Sequence, residues 1–247
     1  MRTIKKVASH IFIDGFGGMT QGLFATLIIG TMIQQIGLLI GGSTGNVIYL
    51  LGKAAAALTS AGIGVGVAVK YGESPLVTVS AAVAAMVGGY AGKITGGTFF
   101  VDGNAVLAGP GEPLGAFIAA FAGITCGHLV SGKTKVDIIV TPVITIGAGS
   151  VVGLLVGPPI SHMMTGLGSI INWATEQRPF IMGIVVSVVM GMVLTLPISS
   201  AALGIILNLS GLAAGAATVG CCANMVGFAV ASYKDNKAVS YTHLTLP

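Results

Sequence analysis

The sequence feature that most constrains this chain is a long stretch, Pro179 to Tyr233, that contains no Asp, Glu, Lys, Arg or His. A membrane-spanning helix needs about 20 apolar residues, so this stretch fits two passes joined by a short hairpin. Asn208 and Asn224 interrupt it, and Pro197 breaks its helical pattern. Backbone breaks and polar groups at membrane depth persist only where protein or water covers them. The stretch therefore predicts the lining of a solute path, with a re-entrant hairpin near residues 197–210.

Composition extends the membrane assignment to the whole chain. Of its 247 residues, 54% are hydrophobic and 7% are charged, and its mean hydropathy is +0.96. An average soluble domain is about 25% charged, so these residues cannot build a water-facing surface. We predict an all-α, polytopic membrane protein of about seven or eight transmembrane helices. A single transmembrane domain is expected over residues 1–237.

The charged residues indicate topology. The net charge of +4 comes from Lys and Arg that lie singly between apolar runs, so it does not predict nucleic-acid binding. The spans are expected near Leu23–Ile40, Val47–Val69, Leu76–Gly92, Leu114–Val130 and Ile138–Val156, the last ending at Gly157-Pro158-Pro159. A cytoplasmic N-terminus then places Lys70, Lys133, Lys135, Lys234 and Lys237 inside and Lys93 outside, provided that residues 160–178 cross the membrane or pair with a crossing.

The glycine spacing predicts close helix packing. The chain has 39 glycines, and several are four residues apart, namely Gly37/Gly41, Gly88/Gly92, Gly149/Gly153/Gly157 and Gly211/Gly215. Small residues at this spacing allow helix backbones to touch in lipid.

Two patterns that could bind a metal or a phosphate do not predict such sites. The three cysteines lie in apolar runs without a C-x-x-C pair, so we expect packing roles and neither a metal nor a cofactor. Residues 127–134, Gly-His-Leu-Val-Ser-Gly-Lys-Thr, match the P-loop pattern. That pattern cradles a phosphate only between a buried strand and a helix, whereas here it closes a run of helix length.

Ionisable and polar residues within apolar segments are the candidate binding groups. Lys53 lies about two turns into the second span, where it either snorkels to the surface or serves a site. Glu176 and Asn172 are spaced i, i+4 and share a helix face beside Trp173, which suits a carbohydrate site. The alternative is an interfacial Trp with a Glu176–Arg178 surface pair.

Two further residues complete the predicted substrate site. His162 follows two prolines and could donate a hydrogen bond in a cavity. Asn208 lies in the predicted hairpin and either lines the path or joins helices.

Several segments in order resemble a known family. They are Val136–Pro142, Gly157–Ile160, Asn172–Glu176, Leu194–Ser200 and Ala217–Ala223. The chain resembles, from about Leu23 to Lys237, the IIC-type membrane subunits of the bacterial phosphoenolpyruvate sugar phosphotransferase system, in the branch of the perfringolysin-regulator-like proteins.

The resemblance implies a function and partners. It implies a multi-pass subunit of the bacterial inner membrane that binds and translocates a carbohydrate for phosphorylation by IIB, working with IIA and as a homodimer. Re-entrant hairpins near the substrate are typical of the family. Glucose-type relatives bind sugar through the Glu of a Thr-Glu-Pro motif. Thr175 and Glu176 match its first two residues, but Gln177 and Arg178 precede Pro179.

The resemblance leaves three functions open. No phosphoryl-accepting Cys or His domain is visible, so enzymatic activity by this chain alone stays uncertain. The rivals to sugar transport are a membrane-embedded regulator or sensor, and an ion-coupled permease, which would need a coupling carboxylate. Family members are longer, which predicts a chain incomplete at its C-terminus with a non-native or disordered tail at residues 238–247.

Overall fold

The computed structural model describes residues 14–101, 103–107, 109–175, 178–195, 209 and 211–236. Two compact units form, Met1–His162 and Met163–Pro247. The elements described are α1 (Phe16–Leu23), a π-helical turn (Phe24–Ile28), α2 (Ile29–Ile40), α3 (Gly42–Ala57), α4 (Thr59–Lys70), α5 (Pro75–Gly89), α6 (Ala91–Thr95), β1 (Phe100–Val101), β2 (Asn104–Ala105), α7 (Pro113–Val130), α8 (Asp137–Thr175), α9 (Pro179–Val193) and α10 (Gly211–Asn236).

The helix boundaries follow local chemistry. The Ser74 hydroxyl accepts a hydrogen bond from the Val77 backbone N–H, and Pro75 occupies the first position of α5, where its missing N–H is not needed. Helix α4 ends at Lys70, and Gly72 in the following turn has a φ of +70°, which is costly for other residues. Between α3 and α4 the chain bends by 53°, and the Thr59 hydroxyl there bonds the Ala56 carbonyl oxygen at 2.6 Å.

Glycines bring the first helices into backbone contact. A Cβ on Gly18 would lie 2.6 Å from the Gly66 carbonyl oxygen, and one on Gly30 would lie 2.8 Å from that of Gly52. The α1–α2 segment therefore runs antiparallel to the α3–α4 segment along its whole length. Since lipid offers no hydrophobic drive between helices, such contacts stabilise the pair by van der Waals packing.

The π-helical turn keeps these glycines on one face. Gly22 contacts Gly62 and Gly30 contacts Gly52. In an ideal α-helix, residues eight apart point about 80° away from each other. The wider π turn between them, Phe24–Ile28, absorbs that difference.

A core of small and β-branched side chains joins α1, α4, α5 and α7. Ile63, Val67 and Val77 are fully buried in it, and the rings of Phe16 and Phe117 lie 4.8 Å apart. Helix α8 adds to this bundle, because a Cβ on Gly149 would lie 2.6 Å from the Ala119 carbonyl oxygen. The predicted small-residue contacts are therefore present at Gly149.

The expected seven or eight spans are not confirmed. Within the described residues, four helices are long and apolar enough to cross a membrane, or five when the bent α3–α4 pair counts as one span; α5 and α9 are shorter. Helix α8 does not end at Pro158-Pro159 as expected but continues to Thr175. Prolines are tolerated inside membrane helices where neighbouring groups satisfy the freed carbonyls. The predicted hairpin at 197–210 lies, apart from Leu209, outside the described residues.

Candidate functional site

The end of the α5–α7 helix pair holds a tightly bonded loop. A short β1–β2 hairpin, pairing Phe100 with Ala105, occupies the loop's middle. Its final turn, residues 109–112, returns to the bundle: the Ser60 hydroxyl donates to the Pro110 carbonyl oxygen at 3.0 Å. The Tyr90 hydroxyl donates a hydrogen bond to the Gly109 carbonyl oxygen at 2.5 Å. This turn is therefore fixed by two buried hydroxyls from α4 and the end of α5.

Only glycine fits in the middle of that turn. Gly111 has a φ of +75°, and an added Cβ would collide with the Ser60 hydroxyl and come within 3.1 Å of the Gly89 carbonyl oxygen. The next backbone N–H, that of Glu112, donates to the same Gly89 oxygen at 2.7 Å. These backbone contacts fix the position of Glu112 between α5 and α7.

The Glu112 carboxylate is the chemically exceptional group of this end. Its Oε1 atom is buried and has no hydrogen-bond partner among the residues that the structure describes. Burial raises the pKa of Glu112 to about 7, while the nearby backbone N–H of Leu114 acts in the opposite direction. A buried acceptor without a partner is costly, which marks this atom as a place for a donor from a ligand.

Lys93 and Tyr90 lie beside this end of the helix pair. The Lys93 ammonium lies 5.4 Å from the centre of the Tyr90 ring, and burial lowers the pKa of Lys93. Burial also raises the pKa of Tyr90 to about 12, so its hydroxyl remains a donor at physiological pH. Across the described residues, no group of three side chains suited to a metal ion occurs.

The opposite end of the helix pair has satisfied polar groups. Glu73 pairs with His128 at 2.9 Å, and Asp137 accepts bonds from the Gly132 N–H and the Thr141 hydroxyl. The Lys133 ammonium donates to the Leu129 carbonyl oxygen. The P-loop pattern at 127–134 therefore starts inside helix α7 and does not follow a strand.

Two of the four predicted site residues lie within the described part of the structure. Glu176 and Asn208 lie outside the described residues. Asn172 lies in α8, and His162, in the same helix, is exposed. Trp173 is 56% exposed. The substrate-site prediction thus stays a prediction.

The polar groups of the C-terminal stretch are mostly satisfied where they are described. The Ser187 hydroxyl donates to the Ala216 carbonyl oxygen at 2.8 Å, and the Thr218 hydroxyl donates to that of Ala214 at 2.9 Å. Gly220 packs directly on the Ser187 backbone. The Asn224 amide nitrogen, by contrast, is buried without a partner among the described residues. The α9–α10 contact is therefore dense, with one polar group left over.

Sequence reasoning missed Glu112 because it treated residues 93–113 as an ordinary loop. A signal was present, since Gly109-Pro110-Gly111-Glu112-Pro113 places a carboxylate between two prolines directly before an apolar helix. Its burial depends on Ser60 and Tyr90, which are distant in sequence.

Comparison with known proteins gives one result. The family model described as "Phosphotransferase system, EIIC" matches residues 13–246. No curated protein and no solved structure matches the chain. The match covers nearly the whole sequence, and it agrees with the apolar helices of a multi-pass membrane protein. The resemblance noted in the sequence is thereby confirmed: the chain belongs to the EIIC family of the phosphotransferase system, as a membrane subunit of a sugar transporter.

Proposed function

We propose that this subunit binds a carbohydrate and translocates it across the bacterial inner membrane for phosphorylation by a IIB protein, which is supplied by IIA. The observation that carries the proposal is the Oε1 atom of Glu112 at the start of α7, which is buried and has no partner among the described residues. The proposed assembly is a homodimer with the N-terminus in the cytoplasm.

The chemistry of Glu112 suits a sugar hydroxyl. A carboxylate accepts hydrogen bonds only, and a bond to a charged group contributes about 1.5–3 kcal/mol. A hydroxyl of the solute would satisfy Oε1 without requiring a cation. Because the pKa of Glu112 is raised to about 7, binding strengthens as pH rises through neutrality and the carboxylate form becomes dominant.

The distribution of charge supports the orientation. Lys70, Lys133 and Lys135 follow or precede helices at the Glu73 end, while Lys93 lies at the Glu112 end. Under the positive-inside rule the Glu73 end faces the cytoplasm, where IIB would dock, and Glu112 faces the incoming solute.

The four site residues predicted from the sequence are a separate proposal. In that proposal Glu176, Asn172, His162 and Asn208 would contact the solute. The rival function is a regulator or sensor that binds a ligand without transport. Its support is the dense α9–α10 contact, where the Ser187 hydroxyl is bonded to backbone.

Phosphoenolpyruvate-dependent uptake of labelled hexoses, hexitols and disaccharides by cells expressing the protein tests the proposal. The variants are Glu112→Gln and Glu176→Gln, with Glu73→Gln as a matched control at the opposite end. We expect Glu112→Gln to lower uptake of the transported sugar at least tenfold, which corresponds to about 1.4 kcal/mol, and Glu73→Gln, at the opposite end of the helix pair, to stay within about twofold of wild type.

Each outcome has a stated meaning. Unchanged uptake by Glu112→Gln, at equal protein level in the membrane, would remove Glu112 from the site. If none of the tested sugars is taken up, but one of these sugars raises the melting temperature of the purified protein, the regulator proposal replaces transport.

A further inference from the structure

The hairpin formed by α2 and α3 has polar side chains on one side. At the contact between the two helices, a Cβ on Gly52 would lie 2.7 Å from the Gln34 backbone nitrogen. A helix turns about 100° per residue, and α2 and α3 run antiparallel. Gln35 directly follows the contact residue Gln34, and Lys53 directly follows the contact residue Gly52, so their side chains point to the same side of the hairpin. Asn46, two turns before Lys53, points there too, and all three are exposed.

The other side of the same hairpin is apolar. Ile33 and Leu51 precede the two contact residues, so the same rotation turns them to the opposite side. Leu51 is 63% exposed and the neighbouring Val47 is 56% exposed. Such a surface suits lipid. The polar side also carries exposed Leu38, which follows the contact residue Gly37, but the Lys53 charge on that side does not suit lipid.

Lys53 lies too deep to reach the membrane surface from a helix end. It is more than three turns, about 18 Å, from the hairpin tip at Gly41, and the bilayer core is about 30 Å thick. The adjacent Gly52 packs on Gly30, in the middle of the Phe16–Ile40 span. No ion pair of Lys53 occurs among the described residues. Intramembrane charges of this kind face protein or a water-filled cavity.

The polar side of the α2–α3 hairpin is the same side on which α7 packs against α1 and α4. Met19 follows Gly18 and Ile63 follows Gly62, and both are buried in the cluster that contains Phe117 of α7. Helix α7 begins beside Glu112, near the level of Ala57, whose carbonyl oxygen accepts a bond from Tyr90. The polar side chains therefore lie on the part of this side that extends beyond the start of α7, where α7 no longer packs against it.

We propose that Asn46, Gln35 and Lys53 form the wall of a water-filled path for a polyhydroxylated solute, leading from the hairpin tip towards Glu112. The two amides donate and accept hydrogen bonds and the ammonium donates, so together they complement hydroxyl groups. The identification of the solute as polyhydroxylated rests on the proposed function, whereas the proposal that the wall is hydrated does not depend on it.

Cysteine accessibility tests the wall. In the full chain with Cys126, Cys221 and Cys222 replaced by Ala, single variants Asn46→Cys, Gln35→Cys and Lys53→Cys are compared with matched controls Val47→Cys, Ile33→Cys and Leu51→Cys. The probe is a membrane-impermeant, cationic methanethiosulfonate added to intact cells. We expect each wall position to react at least tenfold faster than its control.

Three results would overturn the proposal. Equal reaction at both sides would place the hairpin in water outside the lipid. Slow reaction at the wall positions would mean that they are dry. Disulfides between copies at Gln35→Cys or Lys53→Cys would instead assign this side to an interface between two copies. Fast labelling combined with normal uptake by Glu112→Gln would leave the wall standing and remove only the role of Glu112.

Discussion

The two ends of the α5–α7 helix pair each hold one glutamate, and the two glutamates differ in their partners. Glu73, whose side chain is 9% exposed, pairs with His128, whose side chain is 71% exposed. Glu112 has a buried oxygen without a partner among the described residues. A hydroxyl pair, Ser74 with Ser131, joins the helices at the Glu73 end, whereas buried hydroxyls fix a loop at the Glu112 end.

The difference teaches that a hydrogen-bond partner, and not burial alone, separates these two carboxylates. The Glu73 side chain is also nearly buried, but His128 satisfies it. A buried acceptor without a partner lowers stability, and proteins retain such groups at sites of function. The loop contacts of Ser60 and Tyr90 supply the rigidity that holds Glu112 in this position.

The largest expected contrast comes from alanine at a glycine on each end. Gly111→Ala should lower the free energy of unfolding by about 3 kcal/mol, because a positive φ and a collision with Ser60 add together. Gly132 also has a positive φ, +73°, but open space surrounds it. Gly132→Ala should therefore lower the free energy of unfolding by only about 1 kcal/mol. Thermal unfolding in detergent measures both. Equal losses would show that the Glu112 end is not the tighter one.

A pH series sharpens the contrast next. The pKa of Glu112 is about 7 in the folded chain against 4.5 for the free group, so between these values the folded protein holds a proton that the unfolded chain has released. Stability due to this group is therefore full below pH 4.5 and is lost as pH rises to about 7. We expect the melting temperature to fall over this window in wild type and in Glu73→Gln, and to fall less in Glu112→Gln. Parallel curves would contradict the burial of Glu112.

The smallest expected effect concerns the hydroxyls. Ser60→Ala removes the bond to the Pro110 carbonyl oxygen and should cost about 1 kcal/mol, because a buried acceptor loses its donor. Ser131→Ala leaves Ser74 with its bond from the Val77 N–H, so a smaller loss is expected. Chemical denaturation of the purified variants measures the difference, and the reverse order would argue against a fixed loop at Glu112.

Glycine contacts show how far the sequence predicted the packing. The four-residue spacing correctly indicated close contacts at Gly88, Gly149 and Gly153. It also suggested Gly211 and Gly215, yet nothing lies within 4 Å of a Cβ at either. Apart from Gly37, the longer series that joins the first helices escaped notice; it consists of Gly18, Gly22, Gly30 and Gly37 with Gly45, Gly52, Gly62 and Gly66. A π-helical turn and a bend set its spacing, so no fixed period reveals it.

The sequence alone determined that this chain spans a membrane with helices, because so few charged residues cannot cover a soluble protein. Its ordered motifs also determined the family. Only the tertiary structure decided that Glu112 is a buried acceptor and that Lys53 shares one side of a hairpin with Gln35 and Asn46. The reason is physical: burial and facing depend on contacts between residues far apart in sequence, such as Ser60 with Pro110, and local patterns contain no information about those contacts.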